Sequence, residues 1–397
     1  MNVLVFGTGI EFALVQALAE AGHQVYYYTD YLAPFPSFED FGSGIGFSNI
    51  QKVHTFFDYV DKVDKIVSFD CYGGDVLEFL RSKGYDTFGG GRAVELELNR
   101  KLLKLVLKGV GVSQPDYKVV KGFDKIKPPA VVKLNIFRGS AETFTIQDEA
   151  EKRNIEVQLK REFGEFLNKV EFVVEQILDK DKYVEFGFDA VYNDGFQFPM
   201  LFGLEYKKGA YIGKVINALN ELPSGFQDMI LRLDLVLRKM RYKGFISAEA
   251  FLNPKQQREY YFLDITMRPP YPLGLGYRYA IQNFADVVLN DAKPVYRGRY
   301  YVAIPFNAYV KDYYVYVKFP ERDKRYNFNA LMKVDGHYYI PKGSEGSGCI
   351  CEVFNELNKE RMKSALERLT EKLDGVEIRL SEFDEAYEEV RRLWRGS

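Results

Sequence analysis

Cysteine and histidine are scarce. Three of each stand among 397 residues: Cys71, Cys349 and Cys351, and His23, His54 and His337. So few thiols exclude a disulfide framework, and the scatter offers no zinc-like cluster. A divalent ion bound here must take oxygen ligands, which selects magnesium or manganese. An excess of one charge is also missing: Lys and Arg number 54 against 56 Asp and Glu, a net of −2. A clamp for duplex nucleic acid is normally basic, so strong binding of that partner is not expected. No run approaches the roughly 18 apolar residues of a bilayer span. The start, Met1-Asn-Val-Leu-Val-Phe-Gly7, lacks a secretion signal's basic opening and cleavage site. A soluble, cytoplasmic protein without membrane partners is expected. Tryptophan occurs once, but Tyr and Phe number 29 and 32. Runs such as Tyr26-Tyr27-Tyr28 fall in predicted strands, where β-propensity and packing account for them.

A hydrophobic share of 47% is enough for a real core, and the length suits two or three domains. Residues 2–6 read as a buried parallel strand. Helical spacing follows to Gly22, then a second strand over 23–28 ends near Asp30. This βαβ opening predicts a doubly wound α/β domain. A strand at 64–69, a helix at 73–82 and a strand at 85–89 continue it. One long helix is expected over 92–110. Then come a strand at 130–134, a charged helix at 149–167, a strand at 184–192 and an amphipathic helix at 227–242. Residues 245–252 and 260–267 form a strand pair, read as a hairpin. Strands at 300–304, 313–318 and 337–340 precede helices at 359–373 and 383–394. The expected domains are 1–92, 93–290 with a small lid at about 115–180, and a β-rich 291–397.

Gly7-x-Gly9-x-x-Phe12 is two-thirds of a dinucleotide fingerprint; Phe12 stands where the third glycine lets helix and strand pack closely. An anion or substrate site at the helix start is favoured over an NAD site. The run Gly209-Ala-Tyr-Ile-Gly213-Lys214 is one residue short of a P-loop and lacks its Ser/Thr. Lys133 lies inside the apolar strand Ala130-Val-Val-Lys-Leu134. A buried lysine is costly unless an anion meets it, so Lys133 is a phosphate-binding candidate. Lys101, beside Arg100 and Lys104, reads on its own as a solvated helix face. Glu249 and Asp264 lie in the paired strands, where two acids facing each other imply a cation or a raised pKa. Thr266 and Arg268 follow Asp264 at steps of two, on the same strand face. The plain structural reading of Arg268 is an ion pair with an acid.

In this order of parts the chain resembles the ATP-grasp superfamily. The parts are an α/β domain, a lysine-bearing helix before Gly111-Val112 and Pro115, a Val-Val-Lys133 strand, Val174-Glu-Gln-Ile-Leu178, an acid-bearing strand from Val184, and the acidic hairpin. It is most similar there to the phosphoribosylamine–glycine ligases. The resemblance implies an N-terminal α/β domain, a two-subdomain ATP clamp and a C-terminal β-rich domain. It implies ATP with Mg2+ (or Mn2+), and small carboxylate and amine substrates joined through an acylphosphate. It assigns Lys101 and Lys133 to the ATP phosphates. Glu175, Gln176, Ile177 and Leu178 become the adenine-reading hinge, and Glu185 the ribose-binding acid. Glu249 and Asp264 become metal ligands with Thr266 beside them, and Arg268 meets the acylphosphate. Gly7, Gly9, Glu11 and Lys214 are the substrate-side candidates. Thr266 stands where the family usually has Asn. The glycine-rich phosphate loop is replaced by Asn135-Ile-Phe-Arg-Gly-Ser-Ala-Glu142, in which Arg138 is a candidate charge clamp. The continuation Pro269-Pro-Tyr-Pro272 also departs from the purine enzymes. Two alternatives therefore stand: a divergent ligase for another amine, and a nucleotide-binding relative without catalysis.

Overall fold

Short apolar runs punctuated by glycine build the first layer. The computed structural model describes residues 1–29, 42–136, 143–206, 209–309, 314–341 and 347–394. A parallel sheet has the order β3-β2-β1-β4-β5. Its strands are β1 (Asn2–Phe6), β2 (Gln24–Tyr28), β3 (Ile50–Lys52), β4 (Lys65–Val67) and β5 (Thr87–Phe88). Helices α1 (Phe12–Glu20), α2 (Phe57–Val60) and α3 (Gly74–Ser82) connect them. Val3 and Val5 are fully buried in one core and Leu4 in another, so β1 is apolar on both faces, as a parallel strand must be.

The expected single helix over 92–110 is broken. A short 3-10 turn leads into α4 (Glu95–Leu98), and α5 (Arg100–Gly109) starts afresh after Asn99, which is extended at φ −130 and ψ 94. The cause is local. The Asn99 side chain accepts the Leu102 N–H at 3.0 Å. The Arg100 N–H donates to the Asn135 carbonyl at 3.0 Å and the Lys101 N–H to Asn135 Oδ1 at 2.7 Å. Helix α5 therefore begins against the strand that carries Lys133. Asn99→Ala is expected to cost about 1 kcal/mol in urea denaturation, the usual loss of an N-cap.

A four-stranded antiparallel sheet comes next, in the order β6-β9-β7-β8. It comprises β6 (Tyr117–Lys121), β7 (Ala130–Leu134), β8 (Thr143–Ile146) and β9 (Glu171–Glu175), with α6 (Glu149–Phe163) packed on it.

The largest sheet has nine strands, in the order β14-β13-β10-β11-β12-β15-β20-β17, with β21 beside β15. Its first five strands in sequence are β10 (Val184–Asn193), β11 (Phe196–Glu205), β12 (Tyr211–Ile216), β13 (Lys243–Leu252) and β14 (Tyr260–Thr266). Then follow β15 (Tyr300–Asn307), β16 (Tyr314–Val317), β17 (Tyr326–Phe328), β18 (Met332–Val334), β19 (His337–Pro341), β20 (Gly348–Phe354) and β21 (Glu377–Ile378). Strands β16, β19 and β18 form a separate small sheet. Strand β12 pairs with β15, Tyr211 opposite Ala303, so the sheet runs unbroken across residue 291. Strand β11 was not foreseen. It returns from β10 through a turn in which Asp194 and Gly195 have φ of 51 and 144. One face of this sheet packs on α7 (Ser224–Lys239) and on the helix Phe383–Trp394. The other face packs in one core with α1 and strands of the parallel sheet.

Candidate active site

The acids come together by strand register. Glu249 of β13 stands opposite Asp264 of β14 and opposite Gly187 of β10, and Gly187 opposite Gly203 of β11. Alternation then puts Glu185, Glu205, Glu249 and Asp264 on one face. Gly187 keeps that face open: a Cβ there would stand 3.2 Å from Glu249 Cγ. Burial raises the Glu249 pKa well above the usual range, and the charges of Glu185, Glu205, Asp264 and Asp189 add to the effect. Glu185 is solvent-accessible yet crowded inside the cleft. Loss of water to the surrounding protein raises its pKa, while Lys133 and Lys180 act the other way. Thr266 faces Ser247 one step along. The register slips after Glu249, so Leu263 bulges between Asp264 and Phe262. Its carbonyl accepts Lys133 Nζ at 2.9 Å, which ties the small sheet to the large one.

A cationic set faces these acids. Glu175, at the end of β9, sits between two lysines: Lys104 at 2.5 Å and Lys133 at 3.2 Å. All three are buried. Burial lowers the Lys104 pKa and Glu175 counters it. Arg100 is buried too; Nη2 lies 3.4 Å from Asp264 and Nη1 donates to the Leu134 carbonyl at 2.8 Å. Lys101, the expected lysine, points elsewhere: it is 44% exposed and pairs with Glu171 at 3.0 Å. The reason is helical phase. Arg100, Leu103, Lys104 and Leu107 form the buried stripe of α5, and Lys101 lies off it. Residues 176–178 run on from β9 as a connector outside any strand, with the Gln176 N–H donating to the Asp116 carbonyl at 2.9 Å; Ile177 is half-buried and Leu178 buried.

The remaining candidates separate. Arg268 is held by Glu97 of α4, with Nε and Nη2 each 3.1 Å from Oε1, and its guanidinium lies 5.1 Å from the Tyr271 ring centre. The ion-pair reading of Arg268 is met, but by Glu97. The same carboxylate accepts the Met267 N–H at 2.6 Å, which turns the chain out of β14 before Arg268. Glu11 is buried under the opening turn: Tyr27 OH donates to it at 2.8 Å, and a Cβ on Gly7 would stand 2.7 Å from its Oε1. Gly9 takes a φ of 93. At the start of α1 the Phe12 N–H is already taken by the Asn329 carbonyl at 2.9 Å, so the helix start offers less to an anion than expected. Lys214 pairs with Phe202, on the sheet face opposite Glu249, and does not join the acids. Arg138, with Gly139 and Ser140, lies outside the described residues, as does Asp30.

Sequence reasoning missed Arg100, Lys104 and Glu97. The stripe of apolar residues three and four apart on α5 was the available signal for the first two. For Glu97 there was none, because its partner is 171 residues away.

Among the described residues no three His, Cys, Asp or Glu side chains form a metal cage. A crowded pair of carboxylates still fits magnesium, which usually takes one or two carboxylates and completes its shell with water and phosphate oxygens.

No protein-family model and no curated protein matches the sequence. Solved structures do match. The phosphoribosylamine–glycine ligase of Thermotoga maritima superposes with a TM-score of 0.65 at 18% identity, over 95% of this chain and 99% of that one. The biotin carboxylase domain of Hydrogenobacter thermophilus 2-oxoglutarate carboxylase, solved with MgADP, ADP and bicarbonate, gives 0.67 at 13% identity, over 98% and 93%. N5-carboxyaminoimidazole ribonucleotide synthetase of Thermotoga maritima gives 0.60 at 14% identity, over 95% and 99%. All three are ATP-grasp enzymes, and across nearly its whole length this chain has the ATP-grasp fold.

Proposed function

We propose that the chain is an ATP-dependent ligase that joins a carboxylate to an amine. One observation carries the reading: a buried cationic set and a crowded acidic pair face each other across two sheets, joined by the Lys133–Leu263 contact. Lys104 and Lys133 share one carboxylate, so one positive charge remains to meet a polyphosphate. Arg100 adds a forked donor beside Asp264. Glu249 and Asp264 would hold magnesium, with Thr266 as a neutral neighbour. Residues 175–178 would read the adenine edge through their backbone, and Glu185 would hold the ribose hydroxyls. Magnesium–ATP, when bound, would supply the phosphoryl group that activates a carboxylate; an amine would then attack the activated acyl carbon, forming the C–N bond as phosphate leaves. Arg268, kept in place by Glu97, would steady the oxygens of the reacting carboxylate.

The pair implied by the resemblance, glycine with phosphoribosylamine, sets the reference assay. Across a panel of carboxylate and amine pairs that starts from this one, magnesium-dependent ADP release is expected from the native chain with the pair it accepts, reduced about 100-fold or more in Lys133→Ala, a loss typical of removing one charge-stabilising group. Equal turnover by that variant would sink the site assignment. Magnesium-dependent ATP binding, with no ADP formed from any acceptor, would instead identify a nucleotide-binding protein without catalysis.

A further inference from the structure

A cavity of about 680 Å³ opens between α3, α4 and Ile136. Three of its lining residues lead to the proposed reaction site, one by contact and two along the chain. Cys71 on its wall lies within the electrostatic reach of Arg268 and Glu97. Leu98 directly precedes Asn99 and Arg100, whose guanidinium contacts Asp264. Ile136 follows Asn135, which receives the first N–H groups of α5.

The chemistry of this wall differs from that of the phosphate side. Phe79 and Ile136 are 54% and 55% exposed, and with Leu98 they leave an apolar surface open to a ligand. The charged groups on the wall are Asp75, Glu78 and Glu95 against Arg92. Glu78 is shared with Arg81 at 3.7 Å. Asp75 and Glu95 are exposed, and among the described residues neither meets a cation. Asp75 also sits in the first turn of α3, where it complements the partial positive charge that would otherwise draw an anion. Behind the wall, Asp70 and Glu97 are buried, and Arg268 is already paired with Glu97. A phosphate would meet net repulsion here, whereas the lysines and Arg100 across the cleft would attract one.

Taking the ligase reading as its basis, we infer that this cavity is the acceptor pocket. It takes an unphosphorylated amine with an apolar body, its ammonium facing Asp75 and Glu95 and its body against Phe79, Leu98 and Ile136. The resemblance alone would have suggested a phosphorylated acceptor.

Calorimetric titration of the full chain without nucleotide tests this, with leucinamide and O-phosphoethanolamine as probes. Leucinamide is expected to bind at least 10-fold more tightly. Asp75→Lys with Glu95→Lys should weaken leucinamide binding 10-fold or more, with magnesium–ATP affinity retained as the sign of a folded cleft. Should the reversed variant fail to fold, Asp75→Asn with Glu95→Gln should give a smaller loss in the same direction. Tighter binding of O-phosphoethanolamine, or unchanged leucinamide binding in a folded variant, overturns the inference. Because nucleotide is absent, leucinamide binding without ADP release from any amine would overturn the ligase reading and leave the pocket standing.

Discussion

Glu249→Gln is expected to release ADP at least about 100-fold more slowly than the native chain, while melting at the same temperature or higher. Both effects come from one carboxylate. Magnesium loses its charged oxygen ligand, and with it the stabilisation of charge at the transferring phosphate. The fold loses an ill-hydrated charge: Glu249 is half-buried beside Glu185, Glu205, Asp264 and Asp189, and loss of water and these like charges hold its pKa well above the usual carboxylate range. An acid raised in the folded state binds more protons there than in the unfolded chain. Metal-free stability should therefore fall as pH rises from the unfolded Glu value, about 4.3, through the raised folded value. The Gln variant should show a shallower slope over that window. Magnesium should stabilise the native chain by mass action and the variant much less. Thermal melts across pH, with and without magnesium, read all three. A variant that melts well below the native chain and still turns over would remove Glu249 from the site.

Glu175→Ala is expected to destabilise the fold by about 3–5 kcal/mol, the usual cost of leaving a buried charge without its partner. Here two lysines lose it together. Lys104 and Lys133 would then face each other, with the Leu263 carbonyl as the one remaining acceptor for Lys133 among the described residues. Lys104 is already depressed by burial, and Glu175 opposes that shift. Its removal drives the folded pKa further down. A lysine depressed in the folded state binds fewer protons there, so the variant should regain stability as pH rises towards the unfolded value of about 10.4. Magnesium–ADP should raise the midpoint more in the variant than in the native chain, since the phosphates replace the missing anion. Urea denaturation at neutral and alkaline pH measures both. A midpoint unchanged from the native chain would mean the lysines do not depend on Glu175.

These two residues show how far local pattern carries. Glu249 was legible because an acid inside an apolar strand, paired with a second acid strand, breaks the alternation that packing demands. Glu175 was read as part of a backbone hinge, and its carboxylate proved to be the centre of a buried triad. Lys133 was found because a charge in an apolar strand is costly. Lys101 was assigned through the resemblance, although by itself it read as a solvated helix face, and its exposed pairing with Glu171 fits that plainer reading. The break at Asn99, made by Asn135 thirty-six residues on, sets the phase that buries Arg100 and Lys104. Lys214 was a substrate-side candidate, but its register with Phe202 turns it to the far face.

The sequence by itself determined the parallel first sheet, the acidic hairpin and the buried strand lysine. Each rests on a period of two or of about 3.6, or on a charge where a period requires an apolar residue, and such signals are local. The tertiary structure alone decided which helix cations face the acids, that Glu97 holds Arg268, and that an acidic, apolar-walled cavity lies beside them. Those pairings join residues up to 171 apart along the chain. They depend on where a helix breaks and how two sheets meet, and no local period encodes either.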